Sequence, residues 1–120
     1  MHQNWPELAA GLSPALKELR AGTPEVMKGF SAIARAALEA HALDTKTKEL
    51  IALAIAVATR CDACVAFHAD AAVQRGASRA EVLETMGMAI YMGAGPAVMY
   101  AAQGIEAFDQ FSAASTAQAA

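Results

Sequence analysis

Residues 44–68 read DTKTKELIALAIAVATRCDACVAFH, and the place where this stretch breaks decides the fold. Asp44 is a capping residue ahead of a run, Thr45 to Thr59, with apolar side chains on nearly every side. A helix that is apolar all round is a buried one, so this run is expected at the centre of a bundle. Around Arg60-Cys61-Asp62 the run stops, and the pattern restarts as Val65, Phe67, Ala69, Ala72 and Val73. That restart predicts a second helix packed beside the first.

The same signals continue on both sides. Gly76 closes the second helix as a C-terminal cap, and Ser78-Arg79-Ala80-Glu81 is a capping box opening the next. That helix runs through Val82, Leu83, Met86 and Ile90 to Gly93. Gly93-Ala94-Gly95-Pro96 then breaks or kinks it, and a last helix runs from Pro96 to about Phe111. The tail, residues 112–120, is small and polar and is expected to fray. Upstream, Ser13-Pro14 and Thr23-Pro24 each set a capping residue before a proline, predicting a short helix from Pro14 and a longer one from Pro24 to Ala40. Strand patterns are nearly absent. The fold class is therefore all-α, a compact helical bundle of five to seven helices in one domain, residues 1–120, with its core motif region at about 44–108.

The chain has 120 residues, of which 56% are hydrophobic, and its mean hydropathy is +0.29. So much apolar side chain on so short a chain predicts surface buried between subunits. The net charge is −3 and no basic cluster occurs, which leaves nucleic acid no electrostatic footprint. The longest apolar run, Leu50 to Thr59, is too short to span a bilayer. The first residues lack the charged and apolar regions of a signal peptide, so the expected location is the cytoplasm. There a C-x-x-C is more often reactive or metal-binding than a static staple.

Cys61 and Cys64 are the only cysteines, and His68 follows four residues after the second. On a helix these three share one face. A helix start supplies positive potential that favours the thiolate, the reactive form of cysteine. His68 can accept the thiol proton or, as imidazolium, stabilise the thiolate. Glu49 lies twelve residues before Cys61, which on one straight helix is about 18 Å. It reaches the site only if the chain turns near residues 58–62, or if it comes from another subunit. A buried carboxylate requires a partner, and His68 is the natural one. The cysteines and His68 could also be three quarters of a zinc site, but no fourth ligand cluster accompanies them. Trp5, Phe30, Phe67, Phe108 and Phe111 read as packing residues, and Met86, Met88, Met92 and Met99 with Tyr91 and Tyr100 as core or interface.

Glu49, Cys61-Asp62-Ala63-Cys64 and His68, with Gly76 to Glu81 and Gly93 to Ala97, resemble the carboxymuconolactone decarboxylase-like superfamily, in particular its alkyl hydroperoxidase D-like branch with E-x11-C-x2-C-x3-H. The resemblance spans about Asp44 to Phe108. It implies helical subunits assembled as homo-trimers or homo-hexamers; no cofactor or metal is expected. It also implies a thiol-dependent hydroperoxide reductase or dithiol-disulfide oxidoreductase, with Cys61, Cys64, His68 and Glu49 catalytic. Glu49 and His68 would form a proton relay, Cys64 the thiol it activates and Cys61 its disulfide partner. The substrate would be a hydroperoxide or a disulfide. The reductant would be an external dithiol: lipoamide, a thioredoxin-like protein or a peroxiredoxin partner. Members of the branch carry histidine or tyrosine immediately before the second cysteine, where this chain has Ala63. Two other functions belong to different classes: the lactone decarboxylase that names the superfamily, whose members lack the C-x-x-C, and a non-catalytic redox-sensing assembly module.

Overall fold

A computed structural model describes residues 2–119 as five helices: α1 (Trp5–Gly22), α2 (Pro24–Leu38), α3 (Thr45–Ala58), α4 (Asp62–Gln74) and α5 (Arg79–Ala119). Among the described residues there is no strand, so the fold is all-α as the sequence predicts. The caps are where local chemistry puts them. Asp44 accepts the Thr47 N–H at 2.8 Å. In the capping box the Ser78 N–H donates to Glu81 Oε1 at 2.8 Å, and the Glu81 N–H donates to Ser78 Oγ at 3.1 Å.

Two tight reversals bring α3, α4 and α5 together. After α3, the Arg60 N–H donates to the Val57 carbonyl and the Cys61 N–H to the Ala56 carbonyl, at 3.2 and 3.0 Å. This is a Schellman closure, and it puts Arg60 in the left-handed region at φ 59°. The same pair of bonds recurs after α4, with Gly76 at φ 80°. Within α5 the backbone leaves helical geometry at Ala94 (φ 57°, ψ −144°), between two glycines and ahead of Pro96. The expected break is thus a bend that folds residues 95–119 back along residues 79–93. Arg79 and Asp109 join the far ends of these arms through two bonds of 3.0 and 3.2 Å. Gly104 is needed for their approach, because a Cβ there would stand 2.8 Å from Met86 Sδ. Leu53, Val57, Val65, Val82, Met86 and Phe108 fill the space between α3, α4 and the two arms, and alanines at many other core positions let the backbones come close.

Four expectations change. First, α1 begins at Trp5 and runs through Pro14, where the sequence suggests a start. Asn4 caps it by accepting the Glu7 N–H, and Pro6 stiffens its first turn. Ala10 and Pro14 are both exposed, so the carbonyl that loses its partner at Pro14 lies on a solvated side. Second, α3 is not buried all round: Leu53, Ala56 and Val57 face the core, but Ile51 and Ile55 are exposed, because α4 and α5 cover only one side of it. Third, Phe30, expected as a packing residue, is open together with Val26 and Ile33, because α2 buries no residue. Fourth, helix continues through the tail to Ala119, favoured by its alanines and by Phe111, Ala114 and Ser115 beside Pro6; Ala120 lies outside the described residues.

The N-terminal segment is clamped onto the last arm. Trp5 is fully buried; its backbone N–H donates to Gln110 Oε1 and its indole N–H to Glu106 Oε1, at 2.8 and 2.9 Å. Glu106 also accepts the His2 and Gln3 N–H groups at 2.7 and 3.1 Å. Burial pushes the Glu106 carboxyl up, but these donors outweigh it and hold it below its ordinary 4.5. A depressed carboxyl contributes stability that is complete above its unfolded value and is lost as pH falls through the folded one. Acidification below 4.5 should therefore loosen the clamp and shift the fluorescence of Trp5, the only tryptophan, to the red; in Glu106→Gln that pH dependence should vanish. Trp5→Ala should lower unfolding stability by about 3–5 kcal/mol in denaturant titration.

Candidate active site

The reversal at Arg60 starts α4 at Asp62, with Cys61 as its N-cap. Cys61 Sγ accepts the Cys64 N–H at 3.2 Å, so the first sulfur occupies the position a capping oxygen would take. Both sulfurs then sit in the first turn, within the positive end of the helix dipole. The two cysteines are joined as a disulfide, with α-carbons 5.2 Å apart. The chain thus holds the pair at bonding distance through helix geometry.

The same reversal lays α4 back along α3 and solves the problem of Glu49. Its Oε1 lies 2.8 Å from His68 Nδ1 in the same subunit. Glu49 is only 6% exposed and is the one charged residue in the buried core among the described residues. As a carboxylate it can only accept, so the proton of the bond belongs to Nδ1. In the neutral imidazole Nε2 then keeps its lone pair, and the buried carboxylate fixes the orientation of the ring. Of the predicted set, Glu49 meets His68, Cys61 meets Cys64, and Cys64 and His68 line one cleft.

Asp62 is the hydrogen-bond partner that raises the Tyr100 phenol above its usual 10.0; burial and the Asp62 charge act the same way, and Arg60 opposes them. Tyr100 comes from the second arm of α5, which therefore lies near the turn that carries the cysteines.

Cys64 and His68 open onto a cleft of about 410 Å³ between α4 and the hairpin of α1 and α2. Its walls include Leu12, Leu16, Met27, Phe30 and Phe67, and Arg20 is a further lining residue. Ala63 lines the cleft as well, so a small side chain stands where a bulkier relay residue would project. Sequence reasoning treats Phe30 and Phe67 as packing residues; both are partly exposed and belong to this cleft instead. Phe67 is legible in hindsight, because it falls three residues after Cys64 on the same helical stripe. Nothing local marks the residues from α1 and α2, whose place depends on how the hairpin docks. A larger depression of about 670 Å³ between α2 and α3 contains neither sulfur nor imidazole.

Comparison with known proteins identifies the family and the fold. The model of the carboxymuconolactone decarboxylase family matches residues 24–107. An uncharacterized protein of Haemophilus influenzae is 41% identical over 108 residues, covering 90% of this chain and 96% of that protein. One from Cupriavidus necator is 39% identical over 90 residues, covering 75% and 80%. The crystal structure of a carboxymuconolactone decarboxylase family protein from Legionella pneumophila superposes with a TM-score of 0.88 at 49% identity, over 90% of this chain and 96% of that one.

The geometry has a direct test in thiol reactivity. After reduction, alkylation followed against pH should show a midpoint below the free thiol value of about 8.5. His68→Ala should move that midpoint upward and slow alkylation near neutral pH. Midpoints at or above the free value for both thiols would contradict an activated pair.

Proposed function

We propose, starting from the fact that this chain belongs to the carboxymuconolactone decarboxylase family, that it is a thiol-dependent hydroperoxide reductase or dithiol-disulfide oxidoreductase of the alkyl hydroperoxidase D-like type. One observation carries the reading: Cys64 and His68 share the wall of one cleft while the buried Glu49 holds His68 from behind. A sulfur meant only to brace the fold has no need of an oriented imidazole beside an open cleft.

The chemistry follows in three balanced steps. His68 takes the Cys64 proton, and the thiolate attacks the terminal oxygen of the hydroperoxide. The O–O bond breaks, the sulfur is oxidised to sulfenic acid, and the alkoxide leaves as alcohol with the proton returned by His68. Cys61 then attacks the sulfenic sulfur, forming the disulfide and releasing water. An external dithiol reduces that disulfide by exchange and is itself oxidised to a disulfide. Glu49 keeps the imidazole oriented and stabilises its cationic form during the first step. With a disulfide as substrate in place of the peroxide, the same thiolate attacks sulfur and no sulfenic acid forms.

Self-association belongs to the same reading. Ile51 and Ile55 on α3, with Tyr91, Met92 and Met99 around the bend of α5, leave large apolar side chains open to solvent. Burial against further copies, as a trimer or hexamer, removes them from water. No helix among the described residues is long and apolar enough to cross a membrane, so lipid is not the alternative cover for a spanning helix.

The decisive assay is hydroperoxide consumption with a dithiol reductant. The wild type should turn over and Cys64→Ser should not. Glu49→Gln should preserve the fold and the disulfide while lowering turnover by about 10²–10⁴-fold. Unchanged turnover in the Gln variant would remove Glu49 from the mechanism, and an inactive wild type with every dithiol tried would favour a redox-sensing module. Light scattering should give a particle well above the 12.4 kDa of one chain.

A further inference from the structure

Arg20 stands apart from the other residues around the cleft. Leu12, Leu16 and Arg20 recur every four residues on α1, so they form one stripe along the cleft wall. The stripe spans about 12 Å at 1.5 Å per residue, the length of an extended alkyl chain of about eight to ten carbons. Met27, Phe30 and Phe67 supply the facing apolar surface. At 410 Å³ the cleft lies within the range of small-ligand sites.

Apolar walls hold a chain but do not fix its direction; a few polar groups do that. Besides Cys64 and His68, which are committed to the reaction, the polar lining residues are Ser31 and Arg20, and only Arg20 carries a permanent charge. Arg79 pairs with Asp109 and Lys46 with Glu81, and of all the lysines and arginines Arg20 is the one that lines this cleft. Arg20 makes no ion pair among the described residues. Pro6 shares a crevice with Asp70 and Gln74, so α1 runs antiparallel to α4 and carries Arg20 toward the end of the cleft where α4 begins. A guanidinium with no partner, at one end of an apolar slot, calls for an anion on the molecule that enters the slot.

We propose that the cleft accepts a medium-length alkyl chain bearing a carboxylate, and that Arg20 is the residue selecting the anionic end. The assignment rests on Cys64 being the reacting thiol, so the substrate class it names is an alkyl hydroperoxide with a carboxylate on its chain. Arg20 touches the substrate's charge and not the reacting atoms, so it governs selectivity.

Two measurements test this, and they fail separately. The first uses Cys61→Ser protein, in which Cys64 is the only thiol, alkylated by iodoacetamide at alkaline pH with the thiolate fully formed. Octanoate should protect Cys64 more strongly than 1-octanol. Arg20→Gln should weaken octanoate protection by about fivefold, as expected for an exposed ion pair, and Arg20→Lys should restore part of it. Protection by octanol should be equal in both proteins. The second compares turnover of a carboxylated alkyl hydroperoxide with that of cumene hydroperoxide; Arg20→Gln should lower the ratio of their kcat/KM values by a similar factor, through KM. Equal protection by octanoate and octanol in protein retaining Arg20, or equal weakening of both by Arg20→Gln, would overturn the proposal. Loss of turnover for both peroxides with an unchanged ratio would overturn it too, since Arg20 would then act on the thiolate. Arg20-dependent octanoate protection in a protein that consumes no hydroperoxide would uphold the site and sink the peroxidase reading.

Discussion

The reversal between Ala58 and Asp62 is the constraint from which the site follows. Carried on as one helix, α3 and α4 would hold Glu49 about 18 Å from Cys61. The Schellman bonds of Arg60 and Cys61 to Val57 and Ala56 turn the chain back instead, and the carboxylate comes within 2.8 Å of His68. The turn requires a left-handed residue, and the chain uses Arg60 where glycine is usual. A side chain in that region is strained by about 1 kcal/mol or more, and such strain concentrates at functional sites. Here the same turn also begins α4, so one backbone device both orients the imidazole and places two sulfurs in a helix start.

Around that turn the site is graded from dry to wet. Glu49 lies inside the core, His68 is partly covered, and Cys64 reaches the cleft. A charge deep in the protein is poorly screened, so Glu49 holds the ring more firmly than a surface carboxylate would. Ala63 removes a bulky neighbour from beside Cys64 and leaves the wall apolar up to the sulfur. Polarity returns only at Arg20 and Ser31, which is why the cleft reads as a site for a chain with one charged end.

The remaining surface is shaped by the bend at Ala94. It folds the two arms of α5 onto α3 and α4, buries Val82, Met86 and Phe108, and turns Tyr91, Met92 and Met99 outward. The expectation that α3 is buried all round fails for a related reason. One chain has elements enough to cover one side of that helix, and Ile51 and Ile55 are left for something else.

By itself the sequence determined the features that depend on residues within a turn or so of one another: the caps at Asp44 and Ser78 to Glu81, the stops at Gly76 and Gly93 to Pro96, and the stripe of Cys61, Cys64 and His68. Each is settled by backbone hydrogen bonds or by the φ a residue tolerates, and both are local. Asn4-Trp5-Pro6 escaped this logic, because Ser13-Pro14 offers a stronger local signal while Trp5 is held by Glu106 and Gln110, about a hundred residues away. Only the tertiary structure decided that Glu49 meets His68 within one subunit, and that Phe30 and Arg20 line the same cleft as Cys64. Those outcomes depend on how whole helices dock, and docking is governed by the summed burial of many small side chains, which no short window of sequence records.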